Sequence, residues 1–597
     1  MDMFKENLAL LNSHDPSLAR RVGGIPFPEN VTVISARSGA PVPQIQSVCL
    51  HSSYEPAQEA ERQVSRFQSK PGFQTVVHGL GFGYHVLQLL RDHSGEVIVV
   101  EPLMTLFRAF LSKVDLRPFL PRVKFLIAEP PPKILARRGD ASWNIFVHKP
   151  SARISREYFQ NFKKCADAEK YLQERPLKVL VVNPIYGGSL PTARHCAQAL
   201  ENLGHDVASV QCEKFADSFF AVQQVTQNKV NSEVLSGLFM KLMNEAILAK
   251  AAEFRPDLVL ALAQAPLTKE GIARLKALNI PIVFWFVEDF RALTYWKEIA
   301  SAYDYIFTIQ RNDFFDELKA KRIQNYYYLP QACNPAVHKP TPLNKEDSRK
   351  YSTDLSFMGA AYYNRVRSFP QLLEFDFKVW GTEWDLNSPL GQRVQNNNDR
   401  VSSEDCVKIF NGAKINLNLH SSSFHETVNP HGDFVNPRTF EIAACGAFQL
   451  VDERSDLHEM FRVGEEIVTF KNLDELKAKT RHYLNNPDAR TSMATKARDR
   501  ALREHTFERR MTEMLIRVYQ DRLDELRERK DAGARQRDRV IEQAGEDTEL
   551  GRYLKQFKET KKLSLKNIVE SIEKGEGELT NNELLLLMVD QIVVEEN

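Results

Sequence analysis

Short apolar runs recur along this chain, each followed by a glycine turn and then by a helical pattern. The first run, TVVHGL, extends from Thr75 to Leu80, and the second, KVLVVNPIYGG, from Lys178 to Gly188. A third, DLSFMG, begins at Asp354. Continuous apolar runs of this length are typical of strands that are buried on both faces of a parallel sheet. The pattern predicts an α/β fold with three Rossmann-like units.

Prolines mark the boundaries between these units. Pro176 follows a charged helical stretch, and the proline-dense segment NYYYLPQACNPAVHKPTPL joins the second unit to the third. Beyond residue 510 the chain is helical and highly charged, and its heptads are not sustained, so we expect helices rather than a coiled coil. The predicted domains are an N-terminal Rossmann-like α/β domain at 1–172, two further Rossmann-like domains at 176–345 and 346–510, and a charged helical appendage at 511–597.

The composition excludes several classes of protein. The 597 residues carry a net charge of +1, so no overall field favours nucleic acid or an anionic membrane. Seven scattered cysteines form no CxxC pair, which is typical of a reducing compartment and not of a disulfide framework or a zinc ribbon. No apolar window is long enough for a membrane span. We therefore predict a cytoplasmic protein with no transmembrane segment and no nucleic-acid partner; its oligomeric state stays open.

The segment GDFVNPRTFEIAACGAFQL, from Gly432 to Leu450, predicts one short and well-bounded helix. Asn436 is a good N-cap residue, and Pro437 fits the first helical position. The run from Arg438 to Cys445 has a helical pattern, and Gly446 can supply the left-handed residue that ends it. The N-terminus of such a helix presents free N–H groups and the positive end of a dipole.

The same segment carries groups that suit a nucleotide sugar. A phosphate is attracted to a helix N-terminus, and Arg438 adds a charge beside it. Glu441, one turn into the helix, can reach the hydroxyls of a ribose, while Asp433, just before the cap, can face the sugar. The alternative is a purely structural role, as a capped surface helix with a buried apolar face.

These residues resemble the paired-acid signature of retaining GT-B glycosyltransferases, in which the second acid binds the ribose of the donor nucleotide. The phrase NPRTFEIAACGAFQLVDE looks most like the branch named after the spore maturation protein CgeB. The resemblance covers roughly Lys178 to His505 and implies a GT-B fold, in which two Rossmann-like domains enclose a cleft. In this chain Asp433 replaces the usual glutamate, which shortens the side chain by one methylene.

Further donor-side candidates follow the strand that begins the third unit. In FMGAAYYNRVRSF, Gly359 ends this strand and precedes Arg365 and Arg367. Arginines can stabilise the charge on a leaving diphosphate without a metal ion. In the resembling family a basic residue after this glycine has that role, and Arg365 matches its position best. His420, at the end of INLNLH, is another candidate, although solvated side chains are the alternative for all three.

The second unit carries candidates for the acceptor side. Gly187 and Gly188 follow its first strand and let a backbone approach a substrate closely, as in the first loop of the GT-B enzymes that they resemble. The strand IVFWFVEDF ends with Glu288 and Asp289. By the resemblance, Asp289 orients the acceptor or acts on its hydroxyl proton, whereas capping of a helix is an equally good interpretation.

The N-terminal unit has the pattern of an adenosyl or nucleoside site. Gly79, Gly81 and Gly83 permit a close approach of a ligand, and Glu101 follows the next strand, where an acid can bind ribose hydroxyls. The pattern is similar to that of S-adenosylmethionine-dependent methyltransferases and more similar to the N-terminus of the motility-associated factor glycosyltransferases. A recognition domain, a second nucleotide site and an active methyltransferase therefore stay open.

The sequence as a whole predicts a glycosyltransferase of hexosyltransferase type. It moves a sugar from a nucleoside-diphosphate donor to a glycan, a lipid-linked glycan or a protein, with retention implied by the resemblance. No convincing DxD motif is present, so we predict transfer without a metal ion or a cofactor. The alternatives are a methyltransferase or bifunctional enzyme that uses the N-terminal glycines, and a non-catalytic GT-B-like scaffold. We also expect the transfer cleft to be complete without residues 1–175.

Overall fold

The structure is a computed structural model that describes residues 2–139, 141–545, 547–557, 565–575 and 577–595. It divides into two compact units, Met1–Arg517 and Val518–Asn597. The four sheets of the described residues all lie in the first unit. The fold is α/β, as the apolar runs predict.

The first region contains a parallel sheet between helices. Its core includes the fully buried side chains of Val77, Val99 and Phe110. The elements are, in chain order, α1 (Met3–His14), α2 (Pro16–Gly23), β1 (Thr32–Ser35), β2 (Pro41–Ile45), β3 (Val48–Cys49), α3 (Pro56–Val64), β4 (Gln74–His78), α4 (Tyr84–Asp92), β5 (Val97–Glu101), α5 (Met104–Lys113), β6 (Val123–Ile127), α6 (Pro131–Ala136), β7 (Trp143–Val147), α7 (Lys149–Ile154) and α8 (Arg156–Glu174).

Strands β6-β5-β4-β7 form the parallel sheet of this region, and β1-β2-β3 form a small separate sheet with antiparallel pairing. The glycine loop predicted from the sequence follows β4 and leads into α4.

The second region is a six-stranded parallel sheet with helices. Its first strand is buried throughout its apolar part, from Val179 to Val182, as expected for an inner strand. The elements are β8 (Lys178–Val182), α9 (Ser189–Asn202), β9 (Asp206–Val210), α10 (Ala216–Gln224), α11 (Lys229–Phe254), β10 (Leu258–Leu262), α12 (Lys269–Lys276), β11 (Ile282–Phe286), α13 (Trp296–Ile299), β12 (Tyr305–Thr308), α14 (Asp313–Ala320) and β13 (Tyr326–Tyr328).

The third region is a five-stranded parallel sheet with helices. Its core includes Leu355, Ile415 and Leu450, each from a different strand. The elements are α15 (Lys345–Tyr351), β14 (Thr353–Met358), α16 (Tyr363–Ser368), β15 (Phe377–Trp380), α17 (Ser403–Gly412), β16 (Ala413–Asn418), α18 (Pro437–Ala444), β17 (Gln449–Asp452), α19 (Leu457–Met460), β18 (Val468–Phe470), α20 (Leu473–Leu484), α21 (Pro487–Glu504) and α22 (Phe507–Tyr519).

The second and third regions share one topology. Their strand orders are β9-β8-β10-β11-β12-β13 and β15-β14-β16-β17-β18. In each sheet the first strand lies between the second and the third, so the winding direction reverses between β8 and β10 and between β14 and β16. Ligands of open α/β sheets bind at such switch points, beyond the carboxyl ends of the strands. The loops after these four strands therefore locate the candidate site.

Helix α22 returns the chain from the third region to the second. The N–H of Cys333 donates to His505 O at 2.9 Å, and the N–H of Phe507 donates to Cys333 O at 3.0 Å. The Arg510 guanidinium donates to Pro330 O at 2.8 Å. Because of these contacts the first unit extends to Arg517, beyond the boundary at 511 that the charge pattern suggests.

The second unit is helical in its described part. Its helices are α23 (Leu523–Ala544), α24 (Glu549–Lys555), α25 (Leu565–Glu573) and α26 (Asn581–Glu595). Part of the predicted appendage, at residues 546, 558–564, 576 and 596–597, lies outside the described residues. Across the described ranges, none of the helices combines the length and the apolar character that crossing a membrane requires.

Candidate functional site

The helix predicted from the paired-acid segment is present as α18. The Asn436 side chain caps it by accepting a hydrogen bond from Thr439 N at 3.2 Å, and Pro437 is its first residue. Gly446, just beyond its end, has a φ of +65°. The helix is bounded as local capping chemistry predicts.

His420 holds the backbone of this cap in place. Its Nε2 accepts a hydrogen bond from Asn436 N at 2.8 Å, and its Nδ1 lies 2.6 Å from Asp452 Oδ1. Arg454 pairs with the other oxygen of Asp452. Burial lowers the pKa of the His420 imidazole to about 4, so the ring is neutral and donates from Nδ1. Because both ring nitrogens are engaged inside the protein, His420 positions the cap in this structure, and a contact with the donor stays a prediction.

Glu441 and Arg438 form an ion pair on the first turns of α18. Glu441 is almost fully buried, and its Oε1 lies 4.0 Å from His338 Nε2. Burial alone would raise the pKa of this carboxyl, but the charge of Arg438 and the neighbouring His338 outweigh burial and lower it. His195 of α9 packs edge-on against His338, with ring centroids 5.2 Å apart. Glu441 thus lies where the second and third regions meet.

Arg365 is a buried cation held by backbone carbonyls. Its Nε and Nη2 donate to Leu419 O at 3.1 and 2.8 Å, and its Nη1 donates to Ala360 O at 2.9 Å. Among the residues that the structure describes, no carboxylate pairs with it. Burial lowers the pKa of its guanidinium to about 10. A buried cation without a counter-ion is costly, which makes the site receptive to an anion.

The absence of a side chain at Gly359 leaves room for the Arg365 guanidinium. A Cβ at Gly359 would lie 3.0 Å from the Phe357 ring and 3.2 Å from Arg365 Nη1. A small polar cavity of about 20 Å³ lies at the ends of β14 and β16, and Arg365, Arg438, Asn418 and Asn436 are among its lining residues. The two arginines and the cap of α18 therefore share one site.

Arg367 lies outside this site. Its side chain is 58% exposed and pairs with Glu426 at 3.4 Å on the surface. The helical spacing explains the difference, since Arg365 and Arg367 cannot face the same side of α16. The structure gives the predicted contact of Arg367 with the donor no support, and it stays a prediction.

The glycine loop after β8 closes against the third region. Gly187 has a φ of +103°, and a Cβ there would lie 2.3 Å from Gln264 Oε1. Arg400 donates to Gly187 O at 2.6 Å from the other side of the cleft. Gly188 precedes the first residue of α9 and has no atom within 4 Å of its Cβ position. The loop thus places the N-terminus of α9 near Arg400 of the third region.

Asp433 and Asp289 meet across the cleft. Gln310 Nε2 lies 3.3 Å from Asp433 Oδ1 and 3.4 Å from Asp289 Oδ1. Arg291 Nη1 lies 3.4 Å from Asp433 Oδ2, and Asp289 Oδ1 accepts a hydrogen bond from Arg291 N at 3.0 Å. Sequence reasoning missed Gln310 and Arg291, although both follow strands that end at this edge of the sheet.

Glu288 is the less engaged acid of the pair at the end of β11. It is partly exposed, and none of the described residues forms an ion pair or a hydrogen bond with its carboxyl. Burial, followed by the charge of Asp289, raises its pKa to about 7. Its charge in turn raises the pKa of Tyr295 in the second region and of Tyr362 in the third, although burial is the larger cause for both phenols. Glu288 therefore lies near a tyrosine of each of the two regions.

The glycine loop after β4 packs closely against side chains of the first region. A Cβ at Gly79, Gly81 or Gly83 would lie within 2.7 Å of Ser151, His51 or Phe119, respectively. Glu101 is buried and accepts hydrogen bonds from Leu80 N at 2.8 Å and Leu103 N at 2.9 Å. The glycines give room to side chains, and the acid fixes the loop, so this geometry does not support a ligand role for these residues.

His51, His85 and His148 form a buried group beside this loop, with ring nitrogens within 4.8 Å of one another. The rings of His85 and His148 are stacked, with centroids 4.2 Å apart and planes 12° apart. Zn–N bonds are about 2.0–2.1 Å long and lie in the ring plane, so stacked rings cannot direct both lone pairs at one ion. The group is packed as a stack of neutral rings, since burial lowers the pKa of all three.

Comparisons with known proteins bear on the family of this chain. A family model described as glycosyl transferase-like matches residues 364–516. The chain is 30% identical over 259 residues to the spore protein CgeB of Bacillus subtilis (strain 168), a match that covers 41% of this chain and 78% of CgeB.

Two solved structures are similar in part, sucrose-phosphate synthase from Thermosynechococcus elongatus and a glycosyltransferase from Rickettsia africae ESF-5. The first is 11% identical with a TM-score of 0.38 and covers 57% of this chain and 97% of its own. The second is 12% identical with a TM-score of 0.39 and covers 58% of this chain and 98% of its own.

The family match contains both Arg365 and the paired-acid helix α18. The two Rossmann-like sheets with the site at their switch points have the GT-B arrangement. Since the chain also covers most of CgeB at 30% identity, it belongs to the CgeB family of GT-B glycosyltransferases.

Proposed function

We propose that the protein transfers a hexosyl group from a nucleoside-diphosphate sugar to an acceptor hydroxyl, with retention and without a metal ion. The observation that carries this proposal is Arg365, a buried guanidinium with no carboxylate partner among the described residues. It shares a polar cavity with Arg438 and the cap of α18. The charges of these groups suit a diphosphate, whose own charge grows as the sugar leaves. The cavity of about 20 Å³ marks where they converge and would have to widen to admit the ligand.

The donor would occupy the carboxyl ends of β14 and β16. Its diphosphate would lie against Arg365 and the α18 N-terminus, with the Gly187–Gly188 loop opposite. Glu441 already uses one carboxylate oxygen to hold Arg438, and its second oxygen would accept a hydrogen bond from a ribose hydroxyl. Asp433 would face the sugar hydroxyls. Two arginines and two helix N-termini supply the positive charge that a divalent ion supplies elsewhere.

On the acceptor side, Glu288 fits a direct role better than Asp289. The Asp289 carboxylate accepts hydrogen bonds from Arg291 N and Gln310, and so helps to form the cleft. Glu288 has no such partner among the described residues and lies near Tyr295 and Tyr362. In its ionised form it would accept a hydrogen bond from the acceptor hydroxyl and orient it towards the sugar. Asp289 then becomes a positioning residue.

A donor panel tests the proposal. UDP-, GDP- and dTDP-sugars are titrated into the full chain and followed by thermal shift and calorimetry, with and without EDTA. We expect one class of nucleotide sugar to stabilise the protein and EDTA to have no effect on its binding or slow hydrolysis. Proton NMR of the released sugar or product reports retention.

Two results would contradict the proposal. If no nucleotide sugar binds, the result favours a non-catalytic GT-B-like scaffold. If Mg²⁺ or Mn²⁺ restores an activity that is lost in EDTA, the metal-free mechanism is wrong. S-adenosylmethionine is included in the panel, since its binding would revive the methyltransferase alternative. We also propose a cytoplasmic location, which the absence of disulfides among the seven cysteines supports.

A further inference from the structure

A large apolar cavity opens beside the glycine loop of the second region. Its volume is about 820 Å³, within the range of small-molecule sites. It lies beyond the carboxyl ends of β8 and β10, the switch point of this sheet. Its walls are largely apolar, and the lining residues include Tyr186, Phe219, Met240, Leu267, Leu293 and Tyr295.

The end of the cavity nearest the cleft carries polar groups. Gln264 follows β10 in a left-handed conformation, with a φ of +65°, and packs against Gly187. Its backbone N–H donates to the Tyr295 hydroxyl at 2.6 Å, whereas its buried Oε1 has no partner among the described residues. Tyr295 also lies near Glu288. A ligand in the cavity can therefore present a polar end to the cleft.

Helix α11 also carries exposed apolar side chains outside the cavity. Met240 and Gly237 of this helix line the cavity. Along the same helix, Val230, Val234, Leu238 and Leu242 are exposed at intervals of four residues and form one apolar stripe. Rows of exposed large apolar side chains mark interaction sites. The cavity is also lined by three basic and three acidic residues, so charge of one sign does not select the ligand: Lys241, Lys269, Arg274, Glu245, Glu270 and Glu298.

We propose that the acceptor of this enzyme carries a long alkyl or polyprenyl chain, which binds in this cavity and along α11 while the acceptor hydroxyl faces Glu288. The inference rests on the proposed transfer function. A free saccharide or a peptide backbone would put its polar groups against these apolar walls. The alkyl chain of a lipid-linked acceptor would instead cover the walls with apolar surface. A chain too long for the cavity has the stripe on α11 as its continuation. This chemistry selects the lipid-linked class among the acceptors that the sequence leaves open.

Binding and transfer are measured separately on the full chain. Methyl, octyl and dodecyl glycosides of the same sugars serve as probes, below their critical micelle concentrations. Calorimetry without a donor measures chain binding, and mass spectrometry with the donor measures transfer. We expect octyl and dodecyl glycosides to bind at least tenfold more tightly than methyl glycosides and to be the better acceptors, because each buried methylene contributes about 0.8 kcal/mol.

Met240→Glu puts a charge on the cavity wall and should remove the advantage of the long chain. Leu278→Glu is the control, since Leu278 is an exposed apolar residue of the same region, in the turn after α12, and does not line the cavity. Equal binding of methyl and dodecyl glycosides, or equal loss in both variants, would overturn the inference. If dodecyl glycosides bind, Met240→Glu abolishes binding and yet no donor is hydrolysed, the apolar site stands and the proposed transfer function fails.

Discussion

At the scale of single residues, the site depends on charges that the protein leaves uncompensated. Three hydrogen bonds to backbone carbonyls leave two of the five N–H groups of Arg365 for a ligand. Glu288 is the corresponding acid on the other side of the cleft, with a raised pKa and no partner among the described residues. Perturbed groups of this kind cluster at functional sites.

Replacement of Arg365 by lysine should reduce turnover by about tenfold to a hundredfold, since hydrogen bonds to charged groups contribute about 1.5–3 kcal/mol. A smaller loss of donor affinity is expected, because the stabilisation grows as the diphosphate leaves. Steady-state kinetics and calorimetry with the donor separate the two effects. Arg367→Lys, in the same helix, is the control and should resemble the wild type. Equal losses in both variants would remove Arg365 from the site.

The raised pKa of the Glu288 carboxyl predicts that both the stability of the protein and its turnover depend on pH. Its folded pKa of about 7 lies above the unfolded value, so the folded state binds the proton more tightly. Its contribution to stability is therefore complete below the unfolded pKa and is lost as the pH rises through about 7. Turnover should rise over the same range, because the ionised carboxylate accepts the hydrogen bond from the acceptor.

Glu288→Gln should flatten both profiles. The pKa values of Glu101 and Glu169 are also raised to about 7 by burial, so the informative quantity is the difference between wild type and variant in thermal unfolding from pH 5 to 8. A variant that keeps the wild-type rise in turnover would show that another group titrates.

At the scale of elements, what the sequence predicts depends on how local the physics is. The cap and end of α18 are predictable because Asn436, Pro437 and Gly446 act within a few residues of the helix. The role of His420 is not, since it depends on Asp452 of a later strand. The meeting of Asp433 with Gln310 and Arg291 is less predictable still, because it requires the packing of two regions.

Asn436→Ala tests whether the α18 cap serves binding as well as folding. Loss of an N-cap side chain costs about 1 kcal/mol of stability. Asn472 caps α20 in the same way, by accepting a hydrogen bond from Glu475 N, and lies outside the cleft, so Asn472→Ala is the control. Asn436→Ala should be destabilised more in urea unfolding, because Asn436 also donates to Asn418 Oδ1 at 2.7 Å. Only Asn436→Ala should lose donor affinity in calorimetry. Unchanged donor binding in Asn436→Ala would separate the helix N-terminus from the site.

At the scale of the whole molecule, the first region is tied to the transfer regions. Arg137 Nη2 lies 3.4 Å from Glu504 Oε2, and Arg509 Nη1 donates to Ala136 O at 2.7 Å. Glu504 is almost fully buried, and the charge of Arg137 is the largest of the charge effects that lower its pKa against burial. The cleft itself lies in the second and third regions, as the sequence predicts. Its stability, however, depends on contacts that no pattern in residues 1–175 reveals.

Removal of residues 1–175 should therefore lower the melting temperature of the transfer regions, rather than leave them unchanged as the sequence alone suggests.

Arg137→Met in the full chain tests whether the ion pair between the first region and Glu504 is the cause. Arg137 also pairs with Glu129 of the first region at 3.0 Å. Because Glu504 keeps Arg500 and Arg503 and Glu129 keeps Lys133, we expect a loss of about 1–3 kcal/mol for each acid that loses a partner. Arg117→Met removes an exposed pair with Asp115 and should change little. If Arg137→Met melts like Arg117→Met while the truncated chain is destabilised, the first region acts through its apolar contacts; if neither is destabilised, it is an independent domain.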